Sequence, residues 1–116
     1  MELAIDIDGT LTNEIEGYSN EAYTNRTPKF DKIELVNRLY DFGHTIILFS
    51  SRHEEDRSIT TKWLHKYGIK FHRLVLNKLH YDFLIDDRGV HVNNFTQDWV
   101  ENILRRKNEE GISFPG

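Results

Sequence analysis

The strongest constraint on the fold is a short apolar run that lies between two helical patterns. Residues 45–49 (TIILF) form a continuous apolar stretch, which is typical of strands that are covered on both faces. Helices are predicted on either side, over 30–42 and 53–67, because apolar residues recur there at helical spacing. A buried strand between two helices predicts a parallel sheet with helices packed against it.

Three further strands are predicted from short apolar runs at 3–7, 71–76 and 82–85. A last helix is expected to begin after Thr96, whose hydroxyl suits a helix start. The alternation of strands and helices predicts an α/β fold. We expect one Rossmann-like domain over residues 1–116, with a mostly parallel sheet and helices on both faces.

One polar segment does not fit the alternation. Residues 11–29 are rich in polar side chains and show no clear helical period. A long irregular insertion directly after the first strand is either a functional flap or a mobile loop.

Composition limits the partners and the compartment. The formal net charge of −4 argues weakly against a dedicated nucleic-acid binder. The sequence contains no cysteine, which excludes disulfides and thiolate zinc sites and fits the cytoplasm. No apolar run approaches the length of a membrane span, so no membrane partner is expected.

Polar side chains follow three of the predicted strands at the points where they end. Asp6 and Asp8 lie at the end of the first strand, Ser50 follows the second, and Asp86 and Asp87 follow the fourth. The carboxyl ends of parallel strands meet at one edge of the sheet, where ligands bind. A single acidic turn would be ordinary loop chemistry, but coordinated placement on three strand ends indicates a site. Two carboxylates this close repel each other, and a bound Mg²⁺ would relieve the repulsion.

These motifs resemble those of the haloacid dehalogenase superfamily of phosphohydrolases. Residues 6–10 (DIDGT) match its first motif, Ser50 its second, Lys78 its third, and Asp86 with Asp87 its fourth. The short chain is similar to small members without a cap domain, some of which serve capsule or surface-polysaccharide biosynthesis.

The resemblance implies a Mg²⁺-dependent phosphatase that forms an aspartyl-phosphate. Asp6 would attack phosphorus, and Asp8 would protonate the leaving oxygen and then take a proton from the hydrolytic water. Asp6, the backbone carbonyl of Asp8 and Asp87 would hold Mg²⁺, with Asp86 beside them.

The resemblance also implies that Ser50 and Lys78 hold the phosphoryl oxygens, and we add Thr10 and Arg52 as candidates. Arg52 would either grip the substrate or pair with a neighbouring carboxylate. Lys78 precedes Asp86 by only eight residues, although a crossover between parallel strands usually takes about a dozen residues or more. The fourth strand is therefore expected to be very short, or the third to be irregular.

A small phosphorylated metabolite, such as a sugar phosphate, is the expected substrate. Its leaving group would contact Tyr18, Tyr23 and Arg26 of the insertion, unless this segment is an ordinary solvated loop. Small members of the superfamily usually complete their sites with such a flap or with a neighbouring subunit, so a homo-oligomer is also considered.

Two other functions remain open at this point. The first is a 5′-nucleotidase or a phosphatase acting on nucleic-acid ends, which would use the same site with another leaving group. The second is a non-enzymatic receiver-like signalling module. The motif order argues against a receiver, which carries its acidic pair at the first strand and its lysine at the last.

Overall fold

The strands of this protein form one parallel sheet. The computed structural model describes residues 1–13, 17 and 19–110. Within these ranges, β1 (Glu2–Asp6), β2 (Thr45–Phe49) and β3 (Arg73–Val75) pair in parallel in the order β1-β2-β3. The predictions of the first three strands are confirmed, although β3 is shorter than expected. Asp6 lies opposite Phe49, so β1 and β2 end at the same level.

Helices follow the strands along the chain. They are α1 (Asn20–Thr24), α2 (Phe30–Asp41), α3 (Arg57–Lys66) and α4 (Gln97–Glu110), with 3₁₀ turns at Glu54–Asp56 and Val92–Asn94. The three predicted helices are confirmed, and the Thr96 hydroxyl accepts the Trp99 N–H at 3.3 Å at the start of α4. No helix in the described ranges is long and apolar enough to cross a lipid bilayer.

The hydrophobic core explains why these elements pack together. The apolar stripes of the helices meet the inward side chains of β1 and β2, which alternate between buried and less buried positions. Fully buried members of this core are Ile7, Leu11, Val36, Leu39, Ile46, Leu48, Leu64 and Val100. Since burial of such side chains dominates folding energetics, this core fixes the sheet and the end of β1.

The insertion after β1 is anchored at its base. The Lys29 N–H donates to the Leu11 carbonyl at 2.8 Å, and Thr12 pairs with Pro28 in an antiparallel bridge. Leu11 and Thr12 are fully buried. The described part of the insertion therefore packs against the rest of the fold and is not a solvated loop.

The insertion also contains α1, which the sequence pattern did not reveal. Ser19 accepts the Ala22 N–H through its hydroxyl at 3.1 Å and thereby caps this short helix. Tyr23 is buried, and α1 packs against α3. A helix of five residues is too short to show a period. Tyr18, expected to contact a leaving group, lies outside the described residues.

The prediction of a fourth strand over 82–85 is wrong. No strand forms there, and every residue from 79 to 91 is exposed. The exposed fractions of Phe83, Leu84 and Ile85 are 88, 60 and 97 %. Apolar side chains alone do not make a strand, because its backbone must also pair with a neighbour.

Candidate active site

The end of β1 delivers two carboxylates through a tight turn. Asp6 is the last residue of β1, and Asp8 follows two positions later. The turn is closed by the Ile7 carbonyl, which accepts the Leu11 N–H at 2.8 Å. Gly9 adopts a φ of +85°, a conformation that other residues rarely take. The sequence DIDGT thus places both acids at the carboxyl end of β1, as predicted.

Asp6 faces the pocket with part of its carboxylate exposed. One oxygen accepts the Ile7 N–H at 2.8 Å, and the other lies 3.6 Å from the Lys78 ammonium. The side chain retains 42 % of its exposure. Partial burial raises the pKa of Asp6 above its ordinary value, against the opposing effects of Lys78 and of the Ile7 N–H. A positive charge placed at the exposed oxygen of Asp6 would therefore stabilise its ionised carboxylate.

Asp8 occupies a very different environment, because two arginines hold both of its oxygens. Oδ1 accepts Arg26 Nε at 3.0 Å and Arg52 Nη2 at 2.8 Å, while Oδ2 accepts Arg52 Nε at 2.9 Å. The Arg26 and Arg52 side chains are almost fully buried, and that of Asp8 is 17 % exposed. Paired, hydrogen-bonded ions of this kind fix the orientation of a carboxylate.

Neighbouring side chains support this cluster of Asp8, Arg26 and Arg52. The Tyr23 ring lies 4.1 Å from the Arg52 guanidinium and 5.2 Å from that of Arg26, distances suited to cation–π attraction. Arg52 also donates to the Thr60 hydroxyl at 3.0 Å, and the Trp63 indole donates to the Arg26 carbonyl at 2.8 Å. The cluster thereby joins the insertion to α3.

Arg26 was expected to contact a leaving group, and its position does not fit that role. Its side chain is buried and does not line the pocket. Two guanidinium nitrogens, Nη1 and Nη2, have no hydrogen-bond partner among the described residues. Arginine is seldom buried unless it is paired, so Arg26 was expected at the surface, and no sequence pattern indicated its contact with Asp8.

Lys78 lies beside Asp6, in the segment that follows β3. The preceding Asn77 has a φ of +59°, a left-handed conformation that asparagine tolerates better than most residues. The turn places the Lys78 ammonium between the rings of Phe49 and Tyr81, at 5.2 and 5.3 Å from their centroids. The predicted lysine is thus brought next to the predicted nucleophile.

A single pocket contains both carboxylates and this lysine. It is lined by Asp6, Asp8, Ser19, Asn20, Tyr23, Ser51, Arg52, His53, Glu55, Asp56, Asn77, Lys78 and His80. Residues of the insertion, of the β2–α3 connection and of the segment after β3 therefore meet above the carboxyl end of the sheet. This is the position at which parallel sheets usually bind ligands.

Two predicted phosphate-binding residues do not line this pocket. Ser50 is buried, and its hydroxyl accepts the Arg52 N–H at 3.1 Å, whereas the adjacent Ser51 faces the pocket. Thr10 also lies outside the pocket lining. Arg52 lines it, but its guanidinium is engaged by Asp8 and Thr60. Of the two roles considered for Arg52, pairing with a carboxylate is the one observed.

Asp86 and Asp87 are not brought to the pocket. Both are exposed, and an Asp86 oxygen accepts the backbone N–H groups of Arg88 and Gly89 in a local turn. Among the described residues, no three His, Cys, Asp or Glu side chains are arranged to hold a metal ion. The arrangement therefore does not fit the Mg²⁺ ligands expected from the sequence, Asp6, Asp8 and Asp87 with Asp86 beside them.

Comparison with known proteins places the fold among solved structures. No protein-family model matches the chain, and no curated protein sequence matches it either. A target protein from Vibrio cholerae has a similar crystal structure, with a TM-score of 0.70 and 24 % identity over 91 % of this chain and 98 % of that one.

Chains of the Pnkp1/Rnl/Hen1 complex are also similar in fold. One chain of the Pnkp1/Rnl/Hen1 complex matches with a TM-score of 0.58 and 25 % identity over 73 % of this chain. A chain of the Pnkp1/Rnl/Hen1 RNA repair complex matches with a TM-score of 0.58 and 21 % identity over 97 % of this chain. This protein spans only 30 and 32 % of those two chains.

Proposed function

We propose that this protein is a phosphomonoester hydrolase of the haloacid dehalogenase type, with Asp6 as its nucleophile. The proposal rests on the unequal surroundings of the two carboxylates at the end of β1. Asp6 presents a partly exposed oxygen to the pocket beside the Lys78 ammonium. Asp8, two residues later, is held rigidly by two buried arginines. In this proposal Asp6 attacks phosphorus, and Asp8 moves a proton.

The first step transfers the phosphoryl group to the protein. An Asp6 oxygen forms a bond to phosphorus while the bond from phosphorus to the leaving oxygen breaks. The electron pair goes to the leaving oxygen, which takes a proton from Asp8. In the second step, water attacks phosphorus, gives its proton to Asp8, and the bond to Asp6 breaks. Inorganic phosphate and both original side chains result, so the cycle is closed.

The arginine pairs impose a condition on Asp8. Since both of its oxygens accept guanidinium donors, Asp8 must release at least one of these contacts before it carries a proton to the leaving group. In the second step, the ionised Asp8 accepts a proton from the hydrolytic water, which requires less rearrangement of these contacts. Arg26 and Arg52 are positioning residues in this scheme, because they act on the substrate through Asp8.

Lys78 is the side chain best placed to bind the transferring phosphoryl group. Its ammonium stands next to the exposed oxygen of Asp6, so a phosphate in line with that oxygen would lie within reach of both groups. Fixed positive charge at this point stabilises the charge on the phosphoryl oxygens. Ser51 is a further candidate donor, because it lines the pocket where Ser50 does not.

We propose a small phosphorylated metabolite, such as a sugar phosphate, as the substrate. The pocket offers polar side chains on several sides, including Asn20, His53 and His80, which suit a hydroxylated leaving group. The test is a phosphate-release screen over sugar phosphates, nucleotides and phosphorylated amino acids, with and without Mg²⁺. Release by the wild type and its loss in Asp6→Asn supports the proposal, and equal release by both proteins refutes it.

A phosphatase for nucleic-acid ends is the second candidate. Its support is the similarity in fold to chains of an RNA repair complex, while the net charge of −4 weighs against it. Oligonucleotides with a 3′- or 5′-terminal phosphate, added to the same screen, separate the two substrates. A receiver-like module would instead keep its phosphoryl group, so it would not release phosphate over repeated turnovers.

A further inference from the structure

Asn77, directly before Lys78, has an unusual backbone conformation. Its φ is +59°, and it is the one non-glycine residue with a positive φ in the described part of the chain. Asparagine adopts this left-handed conformation more readily than most residues, and glycine adopts it freely. Residues in such conformations are concentrated at functional sites, and Asn77 lines the pocket together with Lys78.

The hydrogen bonds around Asn77 show what its conformation does to the sheet. The Ser50 N–H donates to the Val75 carbonyl at 2.9 Å, which continues the parallel ladder beyond β2. In a regular ladder, the Ser50 carbonyl would next accept the Asn77 N–H. It accepts the Lys78 N–H instead, at 2.9 Å, and the Asn77 N–H donates to the Arg52 carbonyl at 2.8 Å. Asn77 is therefore an extra residue in the strand, as in a β-bulge.

The extra residue changes the side to which Lys78 points. Leu76 is buried in the core, and residues two positions apart on a regular strand point to the same side. Without the bulge, Lys78 would therefore point toward the core. A shift of one residue reverses the side of the chain that follows, and the Lys78 ammonium indeed lies in the pocket, 3.6 Å from an Asp6 oxygen.

We propose that Asn77 is a positioning residue of the active site, whose left-handed backbone turns Lys78 from the core toward Asp6. The placement of Lys78 stands on the fold alone, and its effect on turnover rests on the proposed phosphatase function. The Asn77 side chain is exposed and forms no hydrogen bond with other residues in the described ranges. The backbone conformation, and not a side-chain contact, therefore carries the role.

Two substitutions separate the backbone of Asn77 from its side chain. Asn77→Gly removes the side chain and keeps the left-handed conformation, whereas Asn77→Val opposes this conformation, because β-branched residues rarely adopt a positive φ. If Asn77→Val does not fold, Asn77→Ala replaces it, since any Cβ disfavours this conformation. Asn94→Val is the matched control, because Asn94 is exposed, lies outside the pocket lining and has no positive φ.

The placement of Lys78 is measured by NMR, without any need for activity. The reporter is the nuclear Overhauser effect between the Lys78 side chain and the Phe49 ring, whose centroid lies 5.2 Å from the ammonium. We expect this signal in the wild type, in Asn77→Gly and in Asn94→Val, and we expect its loss in Asn77→Val. A signal that persists in folded Asn77→Val overturns the proposal.

Turnover of a substrate found in the phosphate-release screen tests the effect on the reaction. In Asn77→Val, kcat should fall at least about tenfold, because a left-handed conformation is depopulated by about that factor when a Cβ opposes it. Asn77→Gly should stay within about twofold of the wild type, since glycine adopts the conformation freely. A loss in Asn77→Gly as large as that in Asn77→Val overturns the proposal, because the side chain would then be required.

The two measurements distinguish this proposal from the proposed function. Loss of the Lys78 signal in Asn77→Val, in a protein that releases no phosphate from any compound of the screen, supports the placement by Asn77 and overturns only the phosphatase. Phosphate release that is equal in the wild type and Asn77→Val, with the Lys78 signal kept in both, overturns only the role of Asn77.

Discussion

Replacement of Asp8 by asparagine should destabilise the fold strongly, and the same replacement of Asp6 should not. Asp8→Asn removes the charge that pairs with Arg26 and Arg52, whose side chains are 0 and 1 % exposed. No other carboxylate forms an ion pair with either guanidinium in the described part of the chain. Two buried cations would then lack a counter-charge, and the asparagine NH₂ group would face guanidinium donors.

The expected loss can be estimated from the buried pairs. Removal of one partner of a buried ion pair costs about 3–5 kcal/mol. A small domain has a total stability of about 5–15 kcal/mol, so Asp8→Asn should lose a large part of it. With a urea m-value of about 1–3 kcal/mol/M, the unfolding midpoint should fall by at least about 1 M.

Asp6→Asn provides the matched control, because burial raises the pKa of Asp6 and the ionised form is therefore disfavoured in the folded state. A raised carboxyl pKa means that the folded protein holds the proton more tightly than the unfolded chain does. The ionised carboxylate therefore costs stability as the pH rises through the folded-state pKa. Asp6→Asn should gain stability at neutral pH, and the gain should vanish below the ordinary pKa of 3.8.

Urea unfolding without divalent cations measures both variants. Trp63 is a suitable fluorescent reporter, since its indole donates to the Arg26 carbonyl at 2.8 Å. If Asp8→Asn does not fold, Asp8→Glu keeps the charge and should show a smaller loss. A stability of Asp8→Asn within about 1 kcal/mol of the wild type, the range of an exposed ion pair, would refute the reasoning. So would a loss in Asp6→Asn as large as that in Asp8→Asn.

Three further predictions concern the reaction. Lys78→Met should lower turnover by about two to three orders of magnitude, because a fixed donor to the phosphoryl group is lost. Initial-rate kinetics measure this loss, and a loss of only about tenfold or less would contradict the prediction. Arg26→Met should reduce turnover of a metabolite and of a small aryl phosphate equally, since Arg26 acts through Asp8; a selective loss on the metabolite would restore a leaving-group role. Tyr23→Leu should lower turnover and the thermal midpoint together, because the ring supports both guanidiniums; an unchanged thermal midpoint would exclude this support.

Local patterns in the sequence predicted the parts of the fold that depend on local information. Residues 45–49 are continuously apolar and form β2, and Asp6 and Asp8 lie at the carboxyl end of β1 as expected. Lys78 also lies beside Asp6 in spite of its unusual spacing. In each case, the residues lie in the structure where the local sequence pattern predicted them.

The remaining features depend on distant partners. An apolar run at 82–85 has the composition of a strand, but pairing requires an edge that the sequence does not specify. Arg26 looks like a surface residue of a polar insertion, and only the fold brings it to Asp8. The choice between Ser50 and Ser51 depends on which side chain faces the pocket after β2 ends, which composition cannot determine.

The central claim is that Asp6 receives the phosphoryl group, and mass spectrometry of acid-quenched protein tests it most directly. The wild type is mixed with a substrate found in the phosphate-release screen, quenched during turnover, digested and analysed. We expect the N-terminal peptide to gain the mass of one phosphoryl group at Asp6, with no gain in Asp6→Asn. A protein that releases phosphate while Asp6 is never modified, or an Asp6→Asn variant that keeps its turnover, would contradict the account.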